Sequence, residues 1–230
     1  MTNRDDSTDD VSEPPMLDVP VLEAPPAPDA PTSGVAGLFD ESTAMIMSKF
    51  TALDAIYRLT TRDCRFSEFT RELLVHVMKV VKSEAGSILE VDKTRGVLFF
   101  RSAVGQSSDT IHNFVIPLGK GIVGYVAESL QPLVVTNVEE NQRHLKSIGD
   151  AIGFKARNIV CVPIVIRGKI FGVIELLNRV GEENYTSSDI ELLSYLSEVC
   201  AKAIEIRMMI AWAKQFEKAE KSEKTESEAA

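Results

Sequence analysis

The sequence predicts an α+β domain: an antiparallel sheet covered on both faces, flanked by helices and followed by one long helix. Three observations carry that reading. Residues 153 to 178, "GFKARNIVCVPIVIRGKIFGVIELLN", hold two nearly unbroken apolar runs around Arg167-Gly168-Lys169. Such runs, rich in Val and Ile and split by a tight turn, form a hairpin, and strands apolar on both sides need cover on both faces. Stretches with helical apolar spacing lie on either side of the strand region, and the final one is longer than a small domain is wide.

The first forty residues stand apart. They carry nine acids against Arg4 alone, which is −8 of the chain's net −9, and seven of its ten prolines. Too few large apolar groups remain there to offset ordering entropy, so residues 1–40 read as a disordered acidic tail. The rest is nearly neutral, which argues against a nucleic-acid partner. No basic start precedes an apolar stretch and no run reaches membrane-spanning length, so the expectation is a cytoplasmic protein without a membrane partner. Cys64, Cys161 and Cys200 are odd in number, far apart and without CxxC spacing. That fits reduced thiols, with no metal site and no redox role.

Each element follows from its own pattern. In "STAMIMSKFTALDAIYRLTTR", Ile46, Phe50, Leu53 and Tyr57 recur at steps of four, three and four, with Ser42 as N-cap. Phe69, Leu73, Val77 and Val80 mark a second helix. "SILEVD" and "GVLFFRSAV" are strands joined by "DKTRG", in which Gly96 takes positive φ. "IHNFVIPL" is the next strand and leads through Gly119 and Gly121 into the short helix "GIVGYVAESL". "PLVVT" is a short strand, and "VEENQRHLKSIGDAIG" is polar and weakly helical. Glu175 lies in the second strand of the central hairpin. It either meets a ligand or pairs with a cation such as Arg101 or Arg157, because an unpaired buried charge costs several kcal/mol.

The final helix opens on Thr186, Ser187 and Ser188 and buries Leu193, Leu196, Cys200 and Ala203. A second stripe, Ile206, Ile210 and Ala213, continues beyond the expected core, and the helix would run ~50 Å. Met209, Ile210 and Trp212 therefore need a partner. The Ile46–Tyr57 stripe would supply it, within one chain or across a two-fold, and a homodimer is expected. The tail "EKAEKSEKTESEAA" reads as a fraying end. The division is then 1–40 tail, 41–62 dimer helix, 63–210 domain, and 211–230 helix end and disordered tail.

Five segments follow one another in the order and spacing of a GAF domain: "AGSILEVDKTRGVLFF", "IPLGKGIVGYVAES", "LVVTNVEENQRH", the hairpin, and "RVGEENYTSSDIELL". Residues 66–207 resemble bacterial signalling GAF domains and those of cyclic-nucleotide phosphodiesterases and adenylyl cyclases. The resemblance implies a six-stranded antiparallel sheet and a ligand pocket in front, roofed by the short helix and the polar lid segment. It also implies a cyclic nucleotide as the ligand class. Gly121, Ile122 and Val123 match the helix start that faces a phosphate, where unpaired N–H groups and the dipole favour an anion. Ser87 and Glu175 match a serine on the first strand and a glutamate on the last. Asn137 and His144 stand in the lid, and Ala156 takes the place of a threonine beside "GF", as Ile152 does on the other side. "RSAVGQS" has no counterpart of the aromatic that stacks on the base.

Asn178, Arg179, Tyr185 and Asp189 resemble the family's closing signature, with Ile190 where its last acid would stand. An Arg179–Asp189 pair would pin the loop to the final helix, a structural role. No kinase, cyclase, phosphodiesterase or DNA-binding segment accompanies these motifs, so a stand-alone, non-enzymatic regulatory sensor in signal transduction is expected. The alternative is a ligand-free dimeric scaffold recruiting a protein through its acidic tail or helices.

Overall fold

The computed structural model describes residues 41–105, 111–141 and 153–228. The predicted lid residues Arg143, His144 and Ile152 and the acidic tail lie outside them. The elements are α1 (Glu41–Thr61), α2 (Phe66–Val81), β1 (Ser83–Asp92), β2 (Val97–Val104), a 3-10 turn (Ile111–Asn113), β3 (Val115–Pro117), α3 (Gly121–Ser129), β4 (Leu133–Val135), β5 (Ile159–Ile166), β6 (Lys169–Arg179) and α4 (Ser187–Glu228). Six strands form one antiparallel sheet in the order β3-β2-β1-β6-β5-β4. The α+β class and the element order are those expected from the sequence.

The central hairpin turns on two residues, Arg167 (φ 50°) and Gly168 (φ 72°). Positive φ at both positions makes the tight turn whose twist matches that of the strands. Alternation along the two strands then sends side chains to both faces. Val160, Val162, Ile164, Ile174 and Leu176 enter a back core with α1, α2 and α4, around Phe69, Leu73, Val77, Leu193, Leu196 and Ile204. Ile159, Cys161 and Val173 enter a front core with Leu89, Phe100 and the α3 residues Ile122, Val123 and Val126. Both cores hold fully buried side chains, which explains why neither strand shows a polar face. At Gly172 the backbones of β6 and β1 come so close that a Cβ would lie 2.0 Å from the carbonyl oxygen of Leu89. No side chain fits there without moving the sheet.

Two sequence expectations are narrowed. The stripe Ile46, Phe50, Leu53, Tyr57, expected to meet the second stripe of the last helix within one chain or across a two-fold, does not face the core. Those side chains are exposed, and Ala52, Ile56 and Leu59 are buried instead. Both sets recur at steps of three and four, so periodicity alone does not select the inner face. The stripe therefore does not cover Met209 and Trp212 within the chain. At the N-terminal end, α1 already includes Glu41, which puts Ser42 inside the first turn rather than at the cap.

The last helix has 42 residues, ~63 Å at ~1.5 Å per residue. It runs on through residues 217–228, the stretch read as fraying. Its start is capped by Thr186, whose Oγ1 accepts the Asp189 N–H at 3.2 Å while Asp189 Oδ2 accepts the Thr186 N–H at 2.9 Å. Ser197 donates to the Pro163 carbonyl at 2.7 Å and ties the helix to β5. Farther on, the Arg207 guanidinium donates to the carbonyls of Arg62 (2.7 Å) and Cys64 (2.6 Å), with Thr60 O at 3.5 Å, and lies over the Phe69 ring. These bonds satisfy carbonyls at the end of α1 and in the connector to α2.

Candidate functional site

Side chains of β1, β6 and β5 meet in a row on the front face. Ser87 stands opposite Glu175 across the β1–β6 ladder, and Cys161 stands opposite Glu175 across β5–β6. Ser87 is buried and donates from Oγ to Glu175 Oε2 at 3.0 Å. The acid itself is half-buried. Burial pushes its carboxyl up to about 7, offset in part by the Ser87 bond. Cys161 is buried, and its thiol lies well above its ordinary range because of burial and then the neighbouring Glu175. It is a packed thiol rather than a nucleophile, as the sequence suggested.

Neither arginine considered as a partner for Glu175 is available. Arg101 pairs with Glu90 at 2.6 Å, between the rings of Phe66 and Phe99, and Arg157 pairs with Glu84 at 2.7 Å. The internal salt-bridge alternative is thereby replaced by a bond to a neutral hydroxyl.

The remaining expected ligand residues divide between two places. Gly121 opens α3 with φ 70°, and the cap residue Lys120 makes no side-chain bond there. Ile122 and Val123 are buried, and their side chains are part of the front core. Gly124 lets that helix sit on the preceding turn, where a Cβ would be 2.8 Å from the Pro117 carbonyl oxygen. Asn137 and Ala156 line a separate polar cleft of about 680 Å³, with Thr136, Lys155, Asn158 and Asn184. Ser87 and Glu175 are not among its lining residues. His112 hydrogen-bonds the Phe100 carbonyl through Nδ1 at 3.0 Å, and His76 is half-buried on α2. His76 titrates below its usual value because of burial and then Lys79.

The closing signature builds the joint between sheet and last helix. Arg179 Nε reaches Asp189 Oδ2 at 3.1 Å with both side chains largely buried, and Tyr185 donates to Ser83 Oγ at 2.9 Å. Ile190, where the family's last acid would stand, packs partly buried against the back core. Asn178 sits at φ 58°, which Asn tolerates better than most residues. Its amide donates to Glu84 Oε2 (2.8 Å) and Lys155 O (3.0 Å), and its oxygen accepts the Arg157 N–H (2.7 Å).

Sequence reasoning missed Asn158. It is 2 % exposed, accepts the Arg179 N–H at 2.9 Å and donates to the Glu183 carbonyl at 2.8 Å. A polar residue immediately before a fully apolar strand was the available signal. Cys200 is buried, its thiol pushed up to about 12 by burial. Among the described residues, no group of three His, Cys, Asp or Glu could hold a metal ion, and no helix is long and apolar enough to cross a membrane.

Comparison with known proteins follows the same outline. A GAF domain family model matches residues 65–205. A probable 3',5'-cyclic phosphodiesterase of Caenorhabditis elegans is 26% identical over 154 residues, 63% of this chain and 20% of that protein. The chain thus spans about a fifth of that relative's length. The GAF domain of a phosphoenolpyruvate-protein phosphotransferase from Coxiella burnetii superposes with a TM-score of 0.62 at 16% identity, covering 74% of this chain and 97% of that one. Free methionine-R-sulfoxide reductase from Neisseria meningitidis gives 0.58 at 16% identity, covering 75% and 96%. At these identities the superpositions speak to the fold alone.

Proposed function

Because this chain belongs to the GAF domain family, a family of regulatory and sensor domains in signalling proteins, we propose that it is a small-molecule sensor. Its ligand would sit against the front face of the sheet and bias the helices behind it. The observation that carries this reading is the Ser87–Glu175 pair. Ser87 occupies one carboxyl oxygen, the acid is half-buried, and among the described residues no cation pairs with it. Its other oxygen can take a hydrogen bond from a ligand N–H. A cyclic nucleotide is the first class to test, given the cyclic phosphodiesterase among the relatives. Ligand binding would act on the helices only through different affinities for two arrangements of the domain.

Isothermal titration of the full chain with cAMP and with cGMP tests this. Binding that weakens at least tenfold in a still-folded Glu175→Ala variant, the scale of one hydrogen bond to a charged group, supports the proposal. Equal affinity in wild type and variant would remove Glu175 from the site. No binding of either nucleotide to the wild type would discard that ligand class.

A second reading is a dimeric scaffold, and a separate observation favours it. Ile46, Phe50 and Tyr57 on α1 and Met209, Trp212 and Phe216 on α4 are 52 to 68% exposed. Apolar stripes of this length on helices ordinarily meet a partner, and a second copy of the chain is the economical one. The homodimer belongs to both readings; they differ in whether the front face holds a ligand. Native mass spectrometry of the freshly purified chain reads subunit number and any bound small molecule together. A dimer with no adduct and no nucleotide response would favour the scaffold.

A further inference from the structure

Glu175 is an acid placed where an ion is hard to keep. On its own face of the sheet it is surrounded in register by Ser87, Cys161 and Val173, and the front core around it is built from Leu89, Ile159 and the α3 residues. Among the described residues, the neighbouring charges are committed elsewhere. On β1, Glu84 and Glu90 bond Arg157 and Arg101, and on β6 Arg179 bonds Asp189. On β5 the facing group is Cys161, whose thiol stays protonated. On α3 and its cap, Lys120 and Glu128 are exposed and Tyr125 is half-buried. Among the described residues, the Ser87 hydroxyl is the one hydrogen-bond partner of the Glu175 carboxyl. A half-buried carboxylate with one neutral donor in an apolar wall has lost part of its hydration, and that loss favours the protonated form.

We infer that Ser87 and Glu175 form a proton-responsive pair, whose carboxyl carries its proton in the ligand-free protein and releases it to solvent as the solution turns alkaline. In the protonated form, Glu175 offers one O–H donor and suits a ligand acceptor. In the ionised form, Oε1 accepts from a ligand N–H while Oε2 keeps its bond to Ser87. The same site therefore changes from donor to acceptor across neutral pH. For the small-molecule reading, on which this second half rests, a ligand presenting an N–H donor binds more tightly as pH rises. Its binding releases one proton below the midpoint, and affinity gains up to tenfold per pH unit there.

The test is a carboxyl ¹³C NMR titration of the ligand-free full chain from pH 4 to pH 9. The expected result is one glutamate resonance with a midpoint near 7, absent in Glu175→Gln. In Ser87→Ala, which loses the bond favouring the charged form, the midpoint moves upward. A spectrum in which every glutamate titrates in the ordinary carboxylate range overturns the inference. So does a neutral-range midpoint that survives in Glu175→Gln. Nucleotide titrations at pH 6 and pH 8 separate this inference from the functional reading. Tight but pH-independent binding of cAMP or cGMP that still requires Glu175 overturns the proton linkage and leaves the sensor intact. A midpoint near 7 with no nucleotide bound at either pH upholds the pair and counts against a nucleotide as its ligand.

Discussion

The two faces of the sheet are made from the same strands yet treat polar groups differently. On the back, buried polar side chains are closed into pairs: Thr70 bonds Ser102, and Ser197 bonds the Pro163 carbonyl. On the front, the Ser87–Glu175 pair leaves one carboxyl oxygen without a described partner. A closed pair contributes to one fixed packing, whereas an open one keeps a site at which something else can act. The difference teaches that coverage on both faces does not mean equal duty on both. The back core closes its polar groups, and the front core carries a carboxyl with one described partner.

The largest effect should come from cutting into the back. Phe69→Ala removes a fully buried ring from the centre of that core and should cost about 4 kcal/mol in chemical denaturation. A cost below ~1 kcal/mol would mean the back is not the stabilising face. Next comes the joint between sheet and last helix. Arg179→Ala leaves the largely buried Asp189 without its cation and should cost about 3 kcal/mol, with faster amide exchange in the first turns of α4. Unchanged exchange there would separate the pair from helix anchoring.

The front gives a pH-dependent effect. The folded-state pKa of Glu175 is raised to about 7 from 4.5, so between those values the native state holds more proton than the unfolded chain. Its contribution is full below pH ~4.5, is lost as pH rises to about 7, and is level above, a fall of at most ~3 kcal/mol. Glu175→Gln should flatten this slope in urea titrations at pH 5 and pH 8; an unchanged slope would assign it to other groups. The smallest stability effect belongs to the outer stripe of α1. Phe50→Ser, at an exposed position, should change monomer stability by less than ~0.5 kcal/mol while shifting the proposed dimer toward monomer in light scattering. A large loss of stability with no change in subunit number would contradict the assignment of that stripe to a partner.

Most of the fold could be read in advance because its signals are local. Val and Ile runs around Gly168 specify a hairpin wherever they occur, and the Leu193 to Ala203 stripe specifies a buried helix face. What escaped were choices between equivalent local patterns. Ala52, Ile56 and Leu59 repeat with the same spacing as Ile46, Phe50 and Tyr57, and only packing against α2 and α4 decides which set turns inward. The site was legible as a list of residues more than as a place. Ser87 and Glu175 lie 88 positions apart, and their direct pairing depends on the register of β1 against β6. Asn137 fell elsewhere, in the polar cleft, because it follows β4, the edge strand two places from β6. The fate of Arg101 and Arg157 was likewise settled by which acids stood beside them.

Arg207 bonds chiefly main-chain oxygens where α1 runs into α2, with Cys64 Sγ as a longer contact at 3.9 Å. Those main-chain bonds follow the peptide path rather than the side chains at positions 60 and 62. Position 207 itself should not tolerate even lysine, whose single ammonium cannot span the two strong acceptors in one plane. A mutational tolerance map would then show a connector whose course answers to one intolerant residue more than a hundred positions away.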